Sequence, residues 1–219
     1  MTTTERSFLP AAGRDFLLPA YDPLTRLLGV DRARRALVDQ SALRAYFRVL
    51  DVGCGTGSLA VLVKTLYPAV QVVGVDPDPR GLAIARRKAE AVGLSIKFDR
   101  GFGDALGYPD ASFDRVLSSM MFHHVPDEEK PRMLQEIRRV LKPGGRLELL
   151  DFDGPDGGLH GALGRLLHSH ARLRGNSEDR VLRLLTEAGF TGVHRTASTR
   201  AFFGRLAYYQ ASATDEAGA

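Results

Sequence analysis

The chain has 219 residues, an apolar fraction of 44% and a formal charge of +4, which predicts one packed domain with at most a small appendage. The positive charge is mild and spread along the chain, so nucleic acid is not an expected partner, and a single cysteine excludes a disulfide framework or a Cys-based metal cluster. No run approaches the roughly 18 apolar residues of a spanning helix, and the N-terminal MTTTERSFLPAAG lacks an apolar signal core, so no membrane insertion and a cytoplasmic location are expected.

Residues 1–47 read as an N-terminal helical cap. Phe8, Phe16, Leu17, Leu18 and Tyr21 form an aromatic and aliphatic cluster. A helix is expected over 31–46, capped by Asp31, with Ala33, Ala36, Leu37 and Leu43 on its buried side. The apolar run Val49-Leu50-Asp51-Val52 then feeds into Gly53-Cys54-Gly55-Thr56-Gly57, and a helical pattern over 58–67 follows at once, ended by Pro68. Strand, glycine loop and helix in that order open a doubly wound α/β fold. Glycines suit the loop because it turns tightly and a ligand must lie against bare backbone. Cys54 within it is either a reactive thiol or, the reading preferred here, a small residue filling space beneath the loop.

A second strand spans 70–75 and leads to Asp76, where an acid can meet ribose hydroxyls. Asp78 caps a helix to Val92 that Gly93 terminates, and a third strand spans 95–99. After Gly103-Asp104-Ala105 and Pro109-Asp110-Ala111-Ser112-Phe113-Asp114, a fourth strand spans 113–118. Asp127 caps a helix to Leu141, which Lys142-Pro143-Gly144-Gly145 closes with a left-handed glycine before a fifth strand over 146–152. Residues 153–176 break the rhythm as a Gly-rich, then Arg- and His-bearing insert. A final crossover helix, 178–188, capped by Ser177 and stopped by Gly189, leads to two strands, 192–199 and 205–211, paired as a hairpin. A loose tail is expected over 213–219.

The spacing G-x-G-x-G with Asp51 two residues before the first glycine differs from the G-x-G-x-x-G of dinucleotide enzymes. Together with VVGVDPD, GDA, PDASFD, FHHVPD and LKPGG, it resembles the class I S-adenosylmethionine-dependent methyltransferases, in the broad type 11 group that includes ubiquinone/menaquinone C-methyltransferases. The resemblance covers about residues 48–152. It implies a Rossmann-like, seven-stranded, mostly parallel sheet with an antiparallel last strand, helices on both faces, and a core over 48–212 that carries the insert. It also implies that the N-terminal helices act as a lid, against the alternative that they only cover the sheet.

The implied cofactor is S-adenosylmethionine, with S-adenosylhomocysteine as product and a small-molecule methyl acceptor as partner. The loop from Gly53 through Cys54, Gly55 and Thr56 to Gly57 would cradle the methionine part, with Asp51 facing its ammonium. Asp76 would accept from both ribose hydroxyls and Pro77 would flank the adenine. Asp104 and the Ala105 N–H would bond the adenine edge, and Ser119 or Met120 would touch the methionyl end. Asp76, Asp104 and Ser119 also have plain readings as a capping acid, a turn acid and a strand end. His123 and His124 are the candidate catalytic bases. His160, His168 and His170 read as a solvated helix face. Arg165, Arg172 and Arg174 suggest an anionic or phenolic acceptor. The quinone enzymes carry Arg-Asn where this chain has His123-His124, which argues against that activity, and the arsenite enzymes need several cysteines. No metal site is expected, and a homodimer is among the states open to the chain. The competing readings are a cofactor-binding protein without catalysis and an RNA methyltransferase.

Overall fold

Seven strands hydrogen-bond into one sheet in this computed structural model, which describes residues 29–153, 177–201 and 204–214. In chain order the elements are α1 (Val30–Gln40), β1 (Arg48–Val52), α2 (Ser58–Leu66), β2 (Gln71–Asp76), α3 (Pro79–Ala91), β3 (Lys97–Arg100), β4 (Phe113–Ser119), a 3-10 turn (Phe122–His124), α4 (Lys130–Val140), β5 (Leu141–Phe152), α5 (Glu178–Glu187), β6 (Thr191–Ala201) and β7 (Gly204–Ser212). The sheet order is β3-β2-β1-β4-β5-β7-β6. β7 runs antiparallel to both β5 and β6, and the other neighbours pair in parallel. The sheet is therefore Rossmann-like, and its strand order reverses between β1 and β4, where an α/β sheet opens a crevice at the strand C-termini.

Alternate residues of a strand face opposite sides, and β1 is apolar on both. Leu50 and Val52 pack with Met133, Leu134 and Ile137 of α4 and Val181 of α5. Val49 packs with Val30 and Leu37 of α1, Leu59 and Val63 of α2 and Leu82 of α3. The central strand is thus buried on both faces, as a parallel sheet covered by helices requires.

Several local expectations are corrected. Asp31 does not cap α1: Gly29, in the left-handed region at φ 83°, is the N-cap, and Asp31 instead pairs with Arg34 one turn on. α1 stops at Gln40, not near residue 46, and Ala36 is exposed while Ala33 and Leu37 are buried. Asp127 precedes α4 by a turn and binds Lys130 and Arg180. Two oppositely charged partners outcompete the cap. The KPGG turn does not close α4. The helix ends directly into extended Leu141, and the turn forms an irregularity inside β5 between the Phe113–Leu141 and Arg115–Arg146 pairs. Ala213 is not loose: it is buried and donates its N–H to the Gly145 carbonyl.

α1 is the described part of the N-terminal cap, and its Val30, Ala33, Leu37 and Val38 share an apolar cluster with the sheet. The aromatic cluster before residue 29, the insert's His160, Arg165, His168, His170, Arg172 and Arg174, and residues 215–219 lie outside the described residues.

Candidate active site

The glycine loop rises from β1 and is tied to the neighbouring strand. The N–H groups of Gly53 and Cys54 both donate to the Val75 carbonyl, at 2.9 and 3.1 Å. Gly53, Gly55 and Gly57 all sit at positive φ, 72°, 51° and 75°, which side chains with a Cβ adopt only at a cost. Space is tight as well. A Cβ on Gly53 would fall 2.1 Å from Met121 Cγ, and one on Gly57 would fall 2.7 Å from Ala85 Cβ. Gly57 therefore serves the packing of α2 on α3.

Asp76 ends β2 and locks the loop to the next turn. Its Oδ2 accepts from the Gly55 N–H at 2.8 Å and its Oδ1 from the Asp78 N–H at 2.8 Å. Burial pushes its pKa up to about 6, against the pull of those two amides. Asp51, on β1, is 2% exposed and its Oδ2 has no hydrogen-bond partner. Burial raises its pKa to about 7, with Arg34 pulling down and Asp76 pushing up. The hydroxyl of Ser119 is likewise buried and unpartnered. Two orphaned polar groups beside bare glycine backbone mark a place where a polar ligand completes the hydrogen bonding.

These groups share one cavity of about 380 Å³. Asp51, Gly53, Cys54, Gly55 and Thr56 line it from the β1 side, Asp76, Pro77 and Asp104 from the β2–β3 side, and Ser119, Met120 and His124 from the β4 side. Three expected residues do not reach it. Gly57 is turned to α3, and Ala105 is exposed, with its N–H donating to Phe102 O at 3.2 Å. His123 is buried behind the wall. The Cys54 thiol is buried, and burial together with Asp51 and Asp76 pushes its pKa up, so it is a poor nucleophile. Met120 holds a left-handed φ of 58° at the end of β4, an uncommon backbone state for a side-chain-bearing residue.

His123 and His124 have different surroundings. His123 Nδ1 donates to Asp151 Oδ1 at 2.6 Å, and its own N–H reaches Asp151 Oδ2 at 3.3 Å. Its ring lies edge-on to Phe152. Desolvation alone would raise the Asp151 pKa, yet His123 and two backbone amides outweigh it and hold it below the usual carboxylate range. The His124 ring, 4.0 Å from that of His123, faces the cavity.

The sequence reading missed several lining residues. Phe102, Met121, Val125, Pro126 and Met133 add apolar surface to the wall that His124 also lines, and Glu129 lines it too. Arg34 of α1 also lines the cavity while 5% exposed. Its signal was present: it stands in the apolar stripe with Val30, Ala33, Leu37 and Val38, where a charge needs a reason. Asp151 had no local signal, because only the β4–β5 pairing and the 3-10 turn bring it to His123. Among the described residues no helix is long and apolar enough to cross a membrane.

A family described as a methyltransferase domain matches residues 49–145. The chain is similar to the demethylmenaquinone methyltransferase of Deinococcus radiodurans, 46% identical over 157 residues covering 70% of this chain and 64% of that protein. It is equally similar to the demethylmenaquinone methyltransferase of Thermus thermophilus, 46% identical over 153 residues covering 68% of this chain and 69% of that protein. The chain thus spans a little under two thirds of the first relative and a little over two thirds of the second. A SAM-dependent methyltransferase structure from Aquifex aeolicus shares the fold at TM-score 0.70, with 20% identity, over 90% of this chain and 97% of that one. Sequence motifs, sheet topology and these similarities agree: the chain belongs to the class I S-adenosylmethionine-dependent methyltransferases, in the group of the ubiquinone and menaquinone C-methyltransferases.

Proposed function

We propose that this protein transfers a methyl group from S-adenosylmethionine to a flat, largely apolar aromatic acceptor of the quinol type, releasing S-adenosylhomocysteine. The observation that carries the cofactor assignment is the unpartnered Asp51 Oδ2, facing a cavity whose rim is the bare glycine loop clamped by Asp76. The donor set fits the cofactor. Asp76 retains lone pairs for a ribose diol. Asp51 and Ser119 have groups to offer an ammonium and a carboxylate, and Gly53 to Thr56 present backbone. Asp104 serves the adenine end; Ala105, with its N–H engaged by Phe102, does so only after that bond opens.

Bound S-adenosylmethionine supplies an electrophilic methyl and a good leaving group. The residues of this chain then act mainly by alignment, a contribution that reaches about 7–11 kcal/mol in favourable systems. Phe102, Met121, Val125 and Met133 exclude water and hold the acceptor ring against the cavity wall. His124 takes the proton that the acceptor loses, and His123, pinned by Asp151, supports its ring from behind. The quinol class is favoured by the apolar wall and by the two relatives at 46% identity. These weigh against the exclusion drawn from His123-His124.

Calorimetry with S-adenosylhomocysteine and a turnover assay with hydroxylated naphthalenes test the reading. Uptake by the wild type, lost in Asp76→Ala, and methyl transfer that collapses in His124→Ala are expected. Equal uptake by Asp76→Ala overturns the cofactor site, and uptake without transfer to any aromatic acceptor overturns the acceptor class.

A further inference from the structure

Met121 occupies the ground between the glycine loop and His124. A 3-10 turn brings side chains three residues apart onto one side. The His124 N–H donates to the Met121 carbonyl at 2.8 Å, so the two residues form such a pair, and both line the cavity. Phe122 and His123 between them are each 1% exposed. The thioether arm of Met121 then lies back over the loop. Its Cγ, Cβ and Cε stand 2.1, 2.8 and 3.0 Å from where a Cβ on Gly53 would fall. The space above Gly53 is thus taken by a side chain that starts beside the candidate base.

Met120, Met121 and Met133 all line this cavity, and the chain's other methionine is Met1. The three are not equivalent. Met133 is 2% exposed and locked in the core on α4. Met120 packs toward the cluster formed with α1, α2 and α3. Met121 packs toward the α4 cluster but stays half-buried at the cavity surface. The cavity, about 380 Å³, is near the small end of the roughly 300–1,000 Å³ of ligand clefts, and the reacting end of the cofactor and the acceptor must share it. In so small a space the bulk of one side chain decides what fits. We propose that Met121 sets the ring size of the acceptor: its thioether arm leaves room beside His124 for a single hydroxylated ring and obstructs the second ring of a fused bicycle. A thioether also packs well against an aromatic face, so the single ring gains a contact where the fused ring meets a clash. The proposal rests on the methyl-transfer reading above and narrows its acceptor class. Met121 stands on the His124 side of the cavity, away from Asp76 and Asp104, so it acts on the acceptor and leaves the adenosine end of the cofactor alone.

Anaerobic turnover of benzohydroquinone and naphthohydroquinone at saturating S-adenosylmethionine reads the proposal as a ratio of kcat/KM values. Intrinsic ring reactivity cancels when a variant's ratio is set against that of the wild type. A misfit of one methylene in an apolar pocket changes kcat/KM on the order of 10- to 200-fold. Met121→Ala should therefore raise the naphthohydroquinone-to-benzohydroquinone ratio at least about tenfold. Met121→Leu, a swap close in volume, should leave the ratio near the wild-type value. Met121→Phe adds bulk and should lower it, which keeps the test decisive if the alanine variant does not fold. Calorimetry with S-adenosylhomocysteine should give the same affinity for the variants as for the wild type. A ratio unmoved in Met121→Ala or Met121→Phe overturns the proposal. A shift in Met121→Leu as large as in Met121→Ala overturns it too, because volume is then not the cause. Cofactor affinity that falls together with turnover of both acceptors alike would make Met121 a support for the loop, and overturns it. A wild type that takes up the cofactor but methylates neither ring overturns the acceptor reading itself, and this proposal with it.

Discussion

His123 Nδ1 and Asp151 Oδ1 lie 2.6 Å apart, with side chains 1% and 0% exposed. The pair joins the 3-10 turn after β4 to the end of β5 and so sets where His124 meets the cavity. Removing one member of a buried pair leaves the other uncompensated. Asp151→Asn should therefore cost about 3 kcal/mol in urea unfolding at pH 7. The Asp151 pKa is depressed from its ordinary 3.8. Its stabilisation is thus present above that value and is lost as pH falls through the lower folded-state pKa. The gap between wild type and variant should close only in that acid range. A constant gap down to the acid limit would show that shape, not charge, is what the pair contributes.

Asp51, raised to about 7 by burial, should make cofactor uptake pH-dependent. An ammonium is held by the ionised carboxylate, so binding at pH 6 must expel a proton. Affinity for S-adenosylhomocysteine should fall about tenfold per pH unit below 7. Calorimetry in buffers of different ionisation enthalpy should register the released proton, and Asp51→Asn should abolish it. Proton release unchanged in that variant would place the titration elsewhere.

Gly53→Ala combines a left-handed φ of 72° with a methyl aimed 2.1 Å from Met121 Cγ. The backbone term costs about 1–2 kcal/mol, and Met121 must swing into the cavity. Lower stability and weakened cofactor uptake are expected. Adding Met121→Gly, which also removes the Cβ that stands 2.8 Å from the new methyl, should restore much of the uptake while leaving the backbone cost in place. If the double variant binds no better than Gly53→Ala, steric blockage by Met121 is not the cause.

Glu148 on β5 is fully buried, accepting from Gln40 and Gln210 beside Arg146 and Arg115. Burial outweighs these partners and raises its pKa from 4.5 to about 7. Arg115 shifts down for the same first reason, so both signs of charge are held at a cost. A raised carboxyl pKa means stability fully present below pH 4.5 and lost as pH rises through about 7. Glu148→Gln mimics the protonated form and, with the Gln210 amide turned, keeps both hydrogen bonds. It should gain on the order of 3 kcal/mol at pH 8 and almost nothing at pH 4.5. Thermal melts that stay parallel across that range would contradict this.

Much of the fold was legible because its signals are local. Apolar runs, Asp78 capping α3, and the left-handed glycines at residues 93 and 189 are written within a few neighbouring residues. The misses at Asp31 and Asp127 share one cause: a carboxylate near a helix start caps it only when no cation competes. Asp31 found Arg34 one turn away, and Asp127 found Arg180 from a different helix.

The sequence by itself determined the strand–glycine loop–helix unit, the acid at the end of β2 and the family, since each depends on residues within a short span. Only the tertiary structure decided that His124 faces the cavity while His123 is pinned behind it. It alone brought Arg34 of α1 to the same cavity as Asp51 of β1. These relations come from the parallel pairing of β4 with β5 and from the docking of α1 on the sheet. Contacts between residues far apart in the chain have no periodic or capping signature in the chain itself.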